Sequence, residues 1–244
     1  MFGASRLGFR FVGDRGIKNK VLVFYDPLTD GPGGNTNYYA SGDVNPATGI
    51  WPRIRDREIA LGYTPVLVES YADLATYNLS EYAHLWDIGY ASPYLTNPND
   101  PTTQLTAYIQ NNGALMILGE NSYFGARDDA IDDFVTGIGG GTVTRSASNY
   151  YWAVSQIVEP QFLQANLNDT VTFSRPGTFT SYGTGTPMTN PFTASEYTAV
   201  MWQTGSLTGA TRGAIISILD INFITDNFYN PDFIDNMIVC LNRK

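Results

Sequence analysis

Short apolar runs alternate with amphipathic stretches along this chain. Residues 21–25, Val-Leu-Val-Phe-Tyr, stop at Asp26-Pro27 and predict a central strand. A loop rich in Gly, Asn and Pro is expected from about 27 to 50, then a helix over 51–61 stopped by Gly62. Residues 65–69 and 85–90 predict the second and third strands. Asp100-Pro101 opens another helix, with Asp as N-cap and Pro at the first helical position. Leu105, Tyr108 and Ile109 form its apolar face, and Gly113 takes the left-handed position past its end. Ala114 to Leu118 read as the fourth strand, and a sharp turn at Gly119-Glu120-Asn121 leads into a further helix. That helix buries Ile131, Phe134, Val135 and Ile138, and turns Asp128, Asp129, Asp132 and Asp133 to water. Its early aspartates suit the positive end of the helix dipole, and Gly139-Gly140-Gly141 ends it.

From 142 to 195 the pattern changes to Thr, Ser, Tyr, Gly and Pro with short alternating pieces such as 170–174, which predicts an antiparallel β elaboration of the same domain. Strand patterns resume at 197–202 and 213–220, and Asn230-Pro231 opens a last helix with Ile234, Met237, Ile238 and Leu241 on its buried face. There is no internal repeat. The predicted organisation is a basic arm over 1–20 and one α/β domain over 21–244, with a mostly parallel sheet flanked by helices. In such sheets ligands sit outside the carboxyl ends of the strands. The residues falling there are Asp26, Glu69, Tyr90, Ser92, Glu120, Asn121, Ser122, Asp220 and Asn222.

Charge divides the chain. Five cations against Asp14 give residues 1–20 a net of +4, so the remaining residues carry −13 of the total −9. An acidic body argues against nucleic-acid binding by the globular part, because phosphate contacts need clustered Lys and Arg, while the basic arm could touch an acidic protein or nucleic acid. No apolar run approaches the roughly 18 residues of a membrane span, and the opening residues lack a signal peptide's apolar stretch. Neither membrane insertion nor a classical export signal is expected. Lysine is confined to Lys18, Lys20 and Lys244 while Thr, Asn, Gly and Tyr abound, a balance of surface-exposed and virion proteins. Cys240 is the one cysteine, so no internal disulfide exists, and its place in a helical pattern marks it as a buried structural thiol.

Candidate chemistry is sparse. Ser122 has neither the spacing of a nucleophile elbow nor a histidine near it, and His84 stands ahead of the third strand. Asp26, Glu120 and Asp220 could converge at one sheet edge, where carboxylates bind a divalent cation or serve glycoside hydrolysis. Polar strand-end residues also cap helices and tie down loops. The glycine-rich loop at 30–37 has no lysine and no phosphate-loop spacing. Tyr38, Tyr39, Tyr150 and Tyr151 are candidates for a sugar or protein contact, against ordinary packing. No cofactor is expected.

Two segments, 112–121 and 212–224 with the helix after it, resemble the class I glutamine amidotransferase-like fold, in particular its relatives without amidotransferase activity. The likeness extends over roughly 20–140 and 196–242. Glutaminases of that family use a Cys in the turn and a His-Glu pair near the chain's end. The resemblance places Asn121 at the cysteine position, and no histidine follows Asp220. A Cys-His pair must lie within hydrogen-bond reach, so glutaminase activity is excluded and the fold is expected as a pseudoenzyme. The arm over 2–9 resembles attachment segments of tailed-phage structural proteins.

The expected function is a non-catalytic structural or decoration protein of a virus particle, oligomeric in the assembly and displayed on a virion or extracellular surface. Phe2, Arg6, Leu7, Phe9 and Arg10 would attach it to other virion or surface proteins. Asn121, Ser122, Tyr90 and Asn222 are candidate binding residues. Two alternatives stay open. One is a carbohydrate-active or metal-dependent hydrolase using Glu120, Asp220 and Asp26. The other is a cell-surface module that binds glycan through the 142–195 elaboration.

Overall fold

A computed structural model describes residues 18–25, 49–89, 102–148, 150–193, 195–224 and 228–242. Its strands are β1 (Lys20–Phe24), β2 (Thr64–Val68), β3 (Tyr82–Asp87), β4 (Ala114–Leu118), β5 (Val143–Arg145) and β6 (Ala153–Ile157). They continue with β7 (Thr170–Ser174), β8 (Phe179–Tyr182), β9 (Thr186–Pro187), β10 (Ala199–Trp202) and β11 (Ala214–Ile218). The helices are α1 (Ile50–Ala60), α2 (Tyr71–Leu74), α3 (Thr102–Gln110), α4 (Gly125–Gly137) and α5 (Pro231–Asn242).

Seven strands form the main sheet in the order β2-β1-β3-β4-β11-β10-β9. The first five are parallel, while β10 is antiparallel to both β11 and β9. The expected α/β class, with a mostly parallel sheet, is therefore what the chain adopts. Side chains alternate across a strand, and both faces here are covered. Val21, Val23, Trp86, Met116, Leu118, Ile216 and Ile218 pack with α1 and α5. Leu22, Phe24, Leu85, Leu115, Ile117 and Ile215 pack with α3 and α4. Double coverage explains why these strands read as unbroken apolar runs rather than alternating ones.

The elaboration at 142–195 forms two antiparallel pairs, β5-β8 and β6-β7, and lends β9 to the main sheet. Val171 and Phe173 of β7 enter the same core as α5, with Phe173 edge-on to Phe223 and Phe233. Asn230 caps α5 as its sequence signals, its Oδ1 accepting the Phe233 amide at 2.9 Å. Cys240 is buried, its thiol 3.7 Å from the Phe162 carbonyl. No helix among the described residues is long and apolar enough to cross a membrane.

Three local expectations are corrected. The left-handed residue after α3 is Asn112, with φ 70°, not Gly113. Gly113 is needed for close approach instead, since a Cβ there would stand 2.3 Å from the Tyr108 ring and 2.6 Å from its carbonyl. His84 lies inside β3, paired with Val21, rather than ahead of the strand. On α4 only Asp129 and Asp133 face water; Asp128 is 1% exposed and Asp132 is half-buried. The apolar stripe is widened by Arg127, which is wholly buried, and Asp128 beside it is buried as well, accepting the Glu120 amide.

Candidate functional site

The strand order β2-β1-β3-β4-β11 has its reversal between β1 and β3, where open α/β sheets hold ligands. Asp26 and Tyr90, the candidates nearest that reversal, lie outside the described residues, as do Ser92, Tyr38 and Tyr39. Among the described residues the carboxyl edge there is occupied by a buried ion pair. Arg127 of α4 reaches back to Asp87 at the end of β3, Nη2 to Oδ2 at 3.0 Å. The same guanidinium donates twice to the Leu118 carbonyl, at 2.8 and 3.1 Å. Asp87 Oδ1 accepts from the Gly89 amide and the Tyr71 hydroxyl. Beside it, Tyr25 donates to Glu69 at 2.8 Å. Arg127 closes the stripe 127, 131, 134 and 138 at helical spacing, the signal by which the sequence announces an inward arginine.

Glu120 and Asp220 do converge, one strand further along, but beneath the protein surface. Glu120 Oε1 accepts the Ile221 amide at 3.2 Å, and Oε2 accepts both the Asn121 amide and the Asn121 side-chain nitrogen. Asp220 Oδ2 accepts the Ser174 amide at 2.6 Å, while Oδ1 accepts from the Asn222 amide and side chain. Asn222 also donates to the Ser174 carbonyl at 2.9 Å, and Asn121 to the Arg175 carbonyl at 3.2 Å. The Asn121 oxygen accepts the Tyr123 amide. Ser122, half-buried, opens the turn after it. Asn121, Asp220 and Asn222 therefore suspend the segment 174–178 across the ends of β4 and β11, while Glu120 ties the two strand ends to each other.

Gly177 makes that cover possible. Its amide donates to the Leu219 carbonyl at 2.7 Å, and a Cβ would fall 2.4 Å from the Glu120 carbonyl oxygen and 3.1 Å from Leu219 Cβ. Backbone on one side and the Leu219 β-carbon on the other leave little to yield. Gly177→Ala is expected to destabilise the fold by about 1–3 kcal/mol, read from the midpoint of urea unfolding; an unchanged midpoint would refute the close fit.

Burial dominates the electrostatics here. It pushes the Glu120 carboxyl well above the carboxylate range, and the charge of Asp220 adds to the rise. Burial also pushes Asp220 up to about 7, against the amide donors of Asn222 and Ser174. Among the described residues no group of three or more His, Cys, Asp or Glu side chains is placed to hold a metal ion. His84 sits away from this edge. Its Nδ1 accepts from the Asn242 side chain at 3.1 Å, which puts the proton on Nε2, donated to Glu58 at 2.7 Å. Trp86 donates to the same Glu58 oxygen. That group is wholly buried.

Sheet order and edge geometry define an α/β protein of the doubly wound, flavodoxin-like kind. No protein-family model matches the chain, and no curated protein does. Solved structures resemble it in fold. The mmIFT52 N-terminal domain has a TM-score of 0.57 at 11% identity, covering 90% of this chain and 94% of that one. A ThuA-like protein from Bacteroides uniformis ATCC 8492 has a TM-score of 0.51 at 12% identity, covering 94% of each chain. A cytoplasmic protein from Salmonella typhimurium has a TM-score of 0.56 at 10% identity, covering 93% of this chain and 100% of its own. At such identities the likeness is one of fold alone.

Proposed function

We propose that this chain is a non-catalytic structural or binding protein, a decoration component of a virus particle held by its basic N-terminal arm. The observation that carries the non-catalytic part is the capture of Glu120 and Asp220 by backbone amides beneath 174–178. A carboxylate acting as acid, base or cation ligand must reach its substrate or ion; these two hold loops together. Asn121, at the position the amidotransferase-like resemblance gives to a nucleophile, spends its side chain on Glu120, Arg175 and Tyr123. On this reading the fold is inherited architecture whose substrate edge has been covered.

Display on a particle is supported by the chain's composition, by a basic arm on an acidic body, and by the arm's likeness to phage attachment segments. The attachment residues Phe2, Arg6, Leu7, Phe9 and Arg10 lie outside the described residues. Deleting residues 2–18 is expected to abolish incorporation into particles while leaving the melting temperature of the remaining chain unchanged. Undiminished incorporation would overturn the attachment role. The hydrolase alternative is scored on the same protein with a glycan hydrolysis screen. Turnover that Glu120→Gln removes would overturn the non-catalytic reading.

A further inference from the structure

The segment that covers Glu120 and Asp220 presents an unusual surface on its outer side. Of the large apolar side chains most exposed among the described residues, Tyr123 (67%), Tyr151 (57%) and Trp152 (56%) gather at this edge of the sheet. The Tyr123 and Tyr151 hydroxyls are 2.7 Å apart and their rings meet edge to face at 6.4 Å. Trp152 is buttressed by Phe192, stacked at 6.3 Å with 28° between the planes, and by the Tyr150 ring edge-on at 5.6 Å. Tyr150 is itself fixed by a hydrogen bond to Glu196. Tyr123 and Tyr151 brace each other, Trp152 is braced by Tyr150 and Phe192, and the three exposed rings make up an aromatic platform.

Arg175 stands within it. Its amide donates to the Trp152 carbonyl at 3.2 Å, and its own carbonyl accepts from Asn121, two residues before Tyr123. Its backbone is left-handed, φ 56°, a conformation that a long side chain adopts only when the surroundings impose it. Lys20, Arg55, Arg57, Arg127 and Arg145 each have a carboxylate partner. The exposed Arg175 guanidinium has none among the described residues. The hydrogen bond to Tyr151 chiefly raises the pKa of the Tyr123 hydroxyl, and the charge of Arg175 nearby opposes that rise. An unpaired cation beside open aromatic faces, on a body of net negative charge, is a defined recognition element.

We propose that Tyr123, Tyr151 and Trp152 with the guanidinium of Arg175 bind a carbohydrate whose pyranose ring carries a carboxylate. The aromatic faces take the C–H faces of the sugar, tyrosine hydroxyls meet its hydroxyls, and the planar guanidinium pairs bidentately with the carboxylate. A neutral sugar leaves Arg175 without a role. A nucleic acid needs several clustered cations along its track, and the platform supplies one. This assignment deepens the binding-protein reading above and fails separately from it, because particle incorporation is scored through the arm and sugar binding on the isolated chain.

The test is a titration of the full chain with 3′-sialyllactose and with tetragalacturonate, each against a neutral counterpart, lactose and cellotetraose. Tryptophan fluorescence reports it, since Trp86 and Trp202 are wholly buried and Trp51 is packed half-buried against the core, whereas Trp152 is exposed, and Trp152→Ala isolates its signal. At least one carboxylated sugar is expected to bind tenfold or more tightly than its neutral counterpart; which one distinguishes a sialylated source from a polyuronate. Trp152→Ala is expected to remove binding, Arg175→Lys to keep part of the preference, and Arg175→Asn to erase it. Asn tolerates the left-handed backbone, so that variant folds, as an unchanged melting curve would confirm. Absence of binding by either acidic sugar, equal binding of the neutral ones, or an Arg175→Asn variant that discriminates as before would each overturn the proposal. Binding of single-stranded DNA in preference to every sugar would do the same.

Discussion

Arg127→Met is expected to cost about 3–5 kcal/mol of stability, the range for breaking a buried ion pair on one side. In a chain of this size that corresponds to a fall of roughly 10 °C in melting temperature. The reason is an imbalance of what remains. Arg127 and Asp87 are both wholly buried and bonded to each other. Without the guanidinium, Asp87 loses its ion-pair partner in the interior, where the Gly89 amide and Tyr71 hydroxyl still donate to it. The Leu118 carbonyl loses both of its arginine donors at once. Buried groups stripped of partners carry the full desolvation penalty. The double variant Arg127→Met with Asp87→Leu is therefore expected to recover part of the loss, because an apolar pair of similar volume leaves no unpaired charge. Urea unfolding of the three proteins checks this. A single variant within about 1 kcal/mol of wild type would show that the pair does not hold the edge together.

Stability is expected to fall as pH rises from 5.5 to 8.5, with the melting temperature dropping by about 5 °C or more. Burial pushes Asp128 up to about 8 and Asp132 up to about 7, with the Arg145 charge opposing both. Asp220 is pushed up to about 7, and Glu120 rises well above its usual value, burial again the main cause. A carboxyl whose pKa is higher folded than unfolded binds more protons in the native state. Its contribution is complete below the unfolded pKa, near 4, and is lost as pH climbs to the folded value. The window is thus about pH 4 to 8, opposite in sign to that of a salt-bridged acid. Asp128→Asn is the sharpest control. Its oxygen keeps the Glu120 amide, 3.1 Å away in the native protein, while the titrating proton is removed. The variant is expected to flatten the slope. A melting temperature that rises between pH 5.5 and 8.5 would contradict the burial of these acids.

Particular residues show how far the chain could be read in advance. Ala114 to Leu118 were legible as a strand because five apolar residues between a helix end and a turn suit a strand buried on both faces. The cap of α5 was legible because Asn-Pro is a local device whose bonds close within three residues. Asp128 was not. Helical spacing puts it near the edge of the apolar stripe, and its burial comes with contacts outside the helix, the Glu120 amide and Arg145 of β5. Nor was Gly177, whose requirement arises only when its backbone is laid against Glu120.

The candidate site divides in the same way. Glu120, Asn121, Asp220 and Asn222 belong to the carboxyl ends of two strands by pattern alone, since parallel neighbours must end on one edge. Whether such residues face substrate or hold the chain is a matter of what lies over them. Here the loop 174–178, more than 50 residues past Glu120, takes hydrogen bonds of Asn121, Asp220 and Asn222 and brings Arg175 next to Trp152 and Tyr123. Local periodicity and chain punctuation were enough for the α/β class, the strands and the edge on which polar residues collect. Only tertiary packing turned those residues into clamps and set Arg175 beside Trp152 and the Asn121–Tyr123 turn. The physical reason is range: backbone preference and amphipathic spacing act over a few residues, whereas desolvation and hydrogen-bond pairing depend on segments that the sequence keeps far apart.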